Sequence, residues 1–187
     1  MSNLSGEAQD YGSGEFDQTV KIRPFKIEDS DDLRSVMRTV VINPFTGEVI
    51  EEEIDENLES LKESLDPDSQ RVYLVAEKDG RAVGMMGLDE PGDVMRSFAQ
   101  TSNPGELINA YVSKDEHGLG IGRRLVEELE SIAKSRHYTE VVLNSGPRYM
   151  SSGWPFWRRM YGEPSGVAEK YYDGEWDARV WRKELDT

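Results

Sequence analysis

Between Leu107 and Ala133 the chain passes from an apolar run, Leu107 to Val112, through Ser-Lys-Asp-Glu-His-Gly-Leu-Gly-Ile-Gly into a segment where Ile121, Leu125, Leu129, Ile132 and Ala133 recur at helical spacing. A strand therefore feeds a turn with glycine at alternate positions, and the turn opens an amphipathic helix. Glycine lets backbone approach a ligand and point successive N–H groups outward. The helix N-terminus adds its partial positive charge. Gly118, Leu119, Gly120, Ile121 and Gly122 thus read as a cradle for a diphosphate. Arg123 and Arg124 fall in the first helical turn, where a cation is unfavourable by roughly 0.3–1 kcal/mol unless an anion rests there. The alternative is that both face solvent.

The remaining elements fall around this unit. Residues 1–16 carry Gly6, Gly12 and Gly14 among polar residues and read as a flexible tail, leaving 17–187 as the single domain. Val20, Ile22 and Pro24 alternate with Lys21 and Arg23, a strand with Pro24 at an edge or at its end. Asp29-Ser-Asp-Asp supplies N-cap residues, and Leu33, Val36, Met37, Val40 and Val41 form one face of a helix. Ile54, Leu58, Leu61 and Leu65 mark a second helix stopped by Asp66-Pro67. Asp79-Gly80 between two apolar runs is a hairpin signal. Residues 89–104 read as an irregular, mobile connection. Val141-Val-Leu is a short buried strand, and Asp177 to Lys183 closes the chain. The order β-α-α-β-β-β-α-β-α-β-β is α/β with a mixed sheet.

Composition narrows the chemistry. Cysteine is absent and the only histidines are His117 and His137, which excludes disulfides, thiolate sites and a cysteine nucleophile and predicts no metal. No run approaches the ~20 apolar residues that span a bilayer, and Met1-Ser-Asn-Leu-Ser-Gly-Glu lacks a signal-like start; the expectation is a cytoplasmic protein without a membrane partner. A formal net charge of −15 argues against nucleic acid and favours a cationic small molecule, with plain solubility as the alternative.

The glycine turn fits neither common nucleotide motif: no Lys-Ser/Thr follows it, and the spacing is Gly-x-Gly-x-Gly with Asn144, not an acid, closing the next strand. His117-Gly-Leu-Gly-Ile-Gly instead resembles the Gln/Arg-x-x-Gly-x-Gly/Ala signature of the GNAT N-acetyltransferase superfamily. Ile22-Arg-Pro-Phe-Lys-Ile-Glu-Asp resembles that family's first strand and helix start, Glu106-Leu-Ile-Asn-Ala-Tyr-Val its fourth strand, and Trp154-Pro-Phe-Trp-Arg-Arg-Met-Tyr-Gly its late aromatic helix. The resemblance implies one GNAT-like domain with a mixed, mostly antiparallel, twisted sheet of about seven strands, splayed between strands 4 and 5 and flanked by helices. It implies acetyl-CoA as co-substrate and an amine as acceptor. The backbone of Gly118 to Arg123 would hold the pyrophosphate, with His117 where the family has Gln or Arg and with Arg124 beside it. Tyr111 and Val112 would pair with the pantetheine amides and supply an N–H to the thioester carbonyl, and Asn144 would meet the other side of that arm.

Transfer to an amine needs a base, and Glu106 is the candidate: it lies on the strand that ends at the cradle, and its spacing resembles members with a catalytic glutamate there. A solvated strand-start acid is the alternative. Trp157 stands where many members carry the tyrosine that reprotonates the thiolate, so Tyr149 and Tyr161 are the replacements, each with a packing role as its alternative. Trp154, Phe156, Trp157, Tyr161, Tyr171, Tyr172, Trp176 and Trp181 form an aromatic wall, suited to a cationic acceptor by cation–π contact; for Phe156 and Trp181 core packing is preferred. The reading is direct acetyl transfer from acetyl-CoA to an amine. A non-catalytic acyl-CoA-binding module and a transferase with another acyl donor are its rivals, and a homodimer is compatible with all three.

Overall fold

The computed structural model describes residues 19–172 and 174–186; the tail assigned to 1–16 lies outside them. Seven strands form one sheet in the order β1-β2-β3-β4-β5-β7-β6: β1 (Lys21–Pro24), β2 (Val72–Lys78), β3 (Arg81–Asp89), β4 (Pro104–Val112), β5 (Glu140–Ser145), β6 (Gly166–Tyr172) and β7 (Trp176–Glu184). Pro24 ends β1, which is an edge strand, as proline requires. Asp79 and Gly80 both take positive φ, 52° and 78°, the two-residue turn whose twist matches an antiparallel hairpin.

Among the described residues, five α-helices flank the sheet: α1 (Ser30–Arg38), α2 (Glu51–Glu63), α3 (Asp93–Arg96), α4 (Ile121–Ser135) and α5 (Gly153–Tyr161). On one face Leu33, Val36, Met37, Ile54, Leu58 and Leu61 of α1 and α2 pack on Tyr73, Val75 and Met85. On the other, Leu125, Val126 and Leu129 of α4 and Trp157 of α5 pack on Leu88, Leu107, Val141 and Trp181. Leu65, counted into the α2 stripe from its spacing, lies beyond the helix and is exposed. Asp29 does not cap α1. Its buried carboxylate accepts from Arg23 through two contacts of 2.7 Å and from the Lys26 N–H at 2.9 Å, fastening the end of β1 to the helix start.

The connection 89–104 departs from the sequence reading. It contains α3, whose Met95 is buried against Val142, Ala178 and Val180. The Glu140 carboxylate accepts from the Gln100 and Thr101 N–H groups at 2.8 and 3.0 Å while Arg182 donates to it at 2.9 Å. Contacts from strands about forty and about eighty residues away order this segment, so no local pattern announces it.

All strand pairs are antiparallel except β4 and β5. Their parallel pairing runs from Pro104↔Glu140 to Glu106↔Val142 and then stops, while β4 continues to Val112 and β5 to Ser145. The sheet opens from Glu106 onward.

Candidate active site

One side of this opening is made by consecutive residues. Beyond Val112 the chain turns through Lys114–Glu116 and reaches Gly118 and Gly120, both left-handed at φ 83° and 76°. Gly120 is the residue before α4. Among the described residues no side chain caps this helix, and its first turn holds no acid. A Cβ at Gly118 would meet nothing within 4 Å. A long helix thus presents its positive end beside an open, glycine-lined turn, an arrangement that fits a diphosphate and with it the pyrophosphate of acetyl-CoA. Gly122 has a different cause: a Cβ there would lie 3.2 Å from the Phe156 ring, so this glycine lets α5 pack against the start of α4. Ile121 is buried in the core and Leu119 is 40% exposed.

The side chains flanking the turn are tied to the protein itself. His117 Nε2 lies 3.0 Å from the Val112 carbonyl, bracing the end of β4 against the turn. Arg123 pairs one helical turn on with Glu127 at 2.8 Å. Arg124 donates to the Val20 carbonyl at 2.8 Å, joining α4 to the start of β1.

β4 bulges within the opening. Met85 faces Tyr111 and Gly87 faces Ile108, so Met86 stands opposite both Asn109 and Ala110. Asn109 takes φ 49° there, a conformation costly for a residue with a Cβ. A polar chain holds it: Tyr73 Oη donates to Asn109 Oδ1 at 2.6 Å, and Asn109 Nδ2 donates to Asn57 Oδ1 of α2 at 2.6 Å. Asn57 Nδ2 in turn donates to the buried Tyr111 hydroxyl at 3.3 Å. Asn109 orients groups, as its chemistry allows.

Glu106 stands at the last paired residue before the opening. Leu107 packs in the α4 core, and a Cβ on Gly105 would touch Leu88 and Tyr138 of that core. Strand alternation therefore turns Glu106 to the opposite face. It is 7% exposed, which rules out a solvated strand-start acid. Burial raises its pKa from 4.5 to about 7. The nearby Gly92 backbone N–H opposes that rise; the cross-strand Asp89 adds to it, and Asn144 opposes it. Asn144 Nδ2 reaches Glu106 Oε1 at 3.3 Å and the Tyr171 hydroxyl at 3.4 Å, and Asn144 Oδ1 accepts from the Tyr172 hydroxyl. Its amide is thus engaged with the acid and two tyrosines.

The two candidate acids separate. Tyr161 lies in the α4 and α5 core and donates to Glu130 Oε1 at 2.8 Å; Lys183 reaches the other carboxylate oxygen at 2.7 Å. Glu130 sits nine residues into α4, about 13 Å from the glycine turn, and burial with Glu130 alongside raises the Tyr161 pKa. Tyr161 is thus packed in the core and engaged with an ion pair, the packing alternative that its sequence position left open. Tyr149 packs on the opposite face against the α1 and α2 core. Its ring centre is 6.4 Å from that of Tyr111, and Arg148 beside it donates to Glu53 at 2.7 Å. Among the described residues its hydroxyl is buried with no partner in hydrogen-bonding geometry, although Tyr111 and Arg148 are within electrostatic reach. Burial raises its pKa, so it stays protonated.

The aromatic wall divides likewise. Trp181 and Trp157 are core, and Phe156 packs on the start of α4. Trp176 is 42% exposed and stacks at 5.5 Å on Phe45, from the turn between α1 and α2. Pro147, Trp154, Trp176, Glu175, Asp177 and Arg179 line an open groove nearby. Spacing along the chain could not reveal that Tyr171, Tyr172 and the Gly92 N–H converge on Asn144 and Glu106. Among the described residues, no group of three or more His, Asp or Glu could hold a metal ion, and no helix is long and apolar enough to cross a membrane.

Comparison with known proteins bears on this arrangement. The profile of the Acetyltransferase (GNAT) family matches residues 36–162. No curated protein matches the sequence significantly. Among solved structures, a GNAT-family protein from Desulfovibrio desulfuricans is similar at TM-score 0.71 and 19% identity, covering 89% of this chain and 99% of its own. An aminoglycoside 6'-acetyltransferase type Ii is similar at TM-score 0.66 and 20% identity, covering 89% and 98%. PaiA N-acetyltransferase from Thermoplasma acidophilum, in complex with coenzyme A, is similar at 0.62 and 22%, covering 89% and 100%. At these identities the structures show a shared fold.

Proposed function

The chain belongs to the GNAT acetyltransferase family, and from that premise we propose that it transfers an acetyl group from acetyl-CoA directly to an amine, with Glu106 as a base acting through water. The observation that carries this reading is the placement of Glu106: a buried carboxyl at the point where β4 and β5 part, with its pKa raised to about 7. A base poised near neutrality combines a usable ionised fraction with proton affinity.

Acetyl-CoA supplies an activated acetyl thioester, and Gly118 to Arg123 with the end of β4 would hold it. The chain's own groups do the rest. The Asn109 bulge breaks the β3–β4 ladder near Tyr111, freeing backbone to serve a developing oxyanion. Glu106 lies three residues along the strand from the bulge, roughly 10 Å, so the ammonium proton reaches it through water. The thiolate, with a thiol pKa near ~8.5, leaves without a strong acid. Tyr149, protonated and buried on the same face as Glu106, serves as a hydrogen-bond donor to it.

The acceptor reading is a cationic amine. It is supported by the net charge of −15 and by Trp176 with the acids Glu175 and Asp177 around the groove, which outnumber its Arg179. Incubating the protein with acetyl-CoA and a panel of mono- and polyamines, with free thiol and acetylated product both measured, tests the proposal. The expected result is thiol release matched by acetylamine. Tight CoA binding without turnover on any amine would instead identify an acyl-CoA-binding module, and a preference for longer acyl chains would identify a different donor.

A further inference from the structure

Among the described residues Glu106 receives one side-chain donor, and that donor is held from behind. The Asn144 amide has two faces of nearly identical shape and opposite polarity, so its partners decide which way it points. Here Nδ2 points to Glu106 and Tyr171, and Oδ1 accepts from Tyr172. The fold fixes Tyr172 for this contact. The β6–β7 register shifts between Ala168 and Tyr172, with Lys170 at φ 51°, which re-aims the end of β6. The Tyr172 ring then lies over Gly146, where a Cβ would come within 2.9 Å of it.

We propose that Tyr172 is a positioning residue for the reaction, locking the Asn144 amide so that its N–H rather than its carbonyl faces Glu106. The proposal rests on Glu106 as the base. With the amide reversed, a carbonyl would oppose the carboxylate and only protonated Glu106 would be compatible with it. Burial raises the Tyr172 pKa, helped by Tyr171, Tyr149 and Glu53 and opposed by Arg148, so its hydroxyl remains a donor over the working range. The other groups facing Glu106 are Asp89 of β3, itself paired with Arg71 at 2.6 Å, the Gly92 N–H ahead of α3, and Tyr171 of β6. None of these substitutes for the lock: Asp89 opposes ionisation, and Tyr171 reaches the amide only as an acceptor.

The test reads Glu106 directly, by carboxylate carbon NMR titration of the free protein, alongside the pH profile of kcat. Tyr172→Phe keeps the ring and removes the donor, so Glu106 should titrate about one unit higher. From a starting value of about 7, kcat at pH 7 should fall about fivefold and recover above pH 9. Asn144→Ala should shift Glu106 in the same direction, and Tyr172→Phe should add nothing in that background. An unmoved Glu106 in Tyr172→Phe, or an equal shift with Asn144 absent, overturns the proposal. Because the titration needs no substrate, it is judged apart from the base assignment, which stands or falls on whether the kcat profile follows Glu106.

Discussion

On the α4 side of the opening between β4 and β5, consecutive residues from Val112 to Arg124 build a cradle out of backbone, and their side chains mostly turn away to brace the fold. On the other side Glu106, Asn144, Tyr149 and Tyr172 come from separate strands and a turn, and everything they do is done by side chains. A backbone site needs glycines in order and a helix behind them. A side-chain site needs the whole sheet closed before any of its contacts exist. Substitutions should therefore act differently on the two sides: by steric and charge intrusion on the first, and by loss of particular protons and donors on the second.

The largest effect is expected at Gly120. Gly120→Glu places a Cβ on a left-handed residue at φ 76°, which costs roughly 1–2 kcal/mol, and sets a negative charge at the uncapped start of α4. Acetyl-CoA affinity should fall at least about 100-fold, the equivalent of ~2.7 kcal/mol, while circular dichroism shows the fold retained. Unchanged affinity by calorimetry in a folded variant would remove the cradle from the binding site.

The same contrast explains what was legible beforehand. The glycine turn, the α4 stripe and the Asp79-Gly80 hairpin depend on neighbours within a few residues, and the structure places them as the sequence predicts. Glu106 was nameable because it shares a strand with the cradle, but its burial, set by β3, β5 and the Gly92 N–H, was not. Tyr161 shows the limit: an aromatic close to the cradle helix in sequence packs in the α4 and α5 core, on the sheet face opposite Glu106. The segment 89–104 shows the same, since its order comes from Glu140 and Met95.

Glu106→Gln sharpens the side-chain half of the comparison in two opposite directions. Activity at pH 7 should fall about 10²–10³-fold with acetyl-CoA affinity kept, and the loss should shrink at high pH, where free amine is plentiful. Stability should move the other way. The folded pKa of about 7 exceeds the ordinary 4.5, so the neutral acid's contribution is complete below about 4.5 and is lost as pH rises through 7. The variant should match the parent in unfolding free energy near pH 4 and exceed it above pH 7, by up to the order of 3 kcal/mol, seen as a higher melting temperature. A variant with the parent's kcat profile makes Glu106 structural; equal stability at all pH values removes the burial argument.

Tyr161→Phe tests whether face matters more than sequence position. It removes the donor to Glu130, a hydrogen bond to a charged group worth about 1.5–3 kcal/mol, and stability should drop by that order. The turnover number should change by less than about twofold, because the hydroxyl meets Glu130, about 13 Å along α4 from the cradle. A kcat loss of tenfold or more would return Tyr161 to the chemistry.

The smallest effect is expected at His117, the residue closest to the cradle whose side chain does not enter it. Its ring meets the Val112 carbonyl at 3.0 Å from an exposed position, a neutral contact worth about 0.5–1.5 kcal/mol. Arginine at this position can donate to the same carbonyl and adds a cation near the anion site, so two weak terms act in the same direction. His117→Arg should leave the acetyl-CoA KM within about threefold, while His117→Ala, which removes the brace, should raise it by no more than about tenfold through a looser end of β4. Salt separates the two causes. A brace is indifferent to ionic strength, whereas a side chain acting on the diphosphate by charge loses its effect as salt rises from about 0.05 to 0.5 M. If His117→Ala costs about 100-fold and the cost fades in high salt, the imidazole binds the cofactor directly, and the cradle is less purely a backbone site than its geometry indicates.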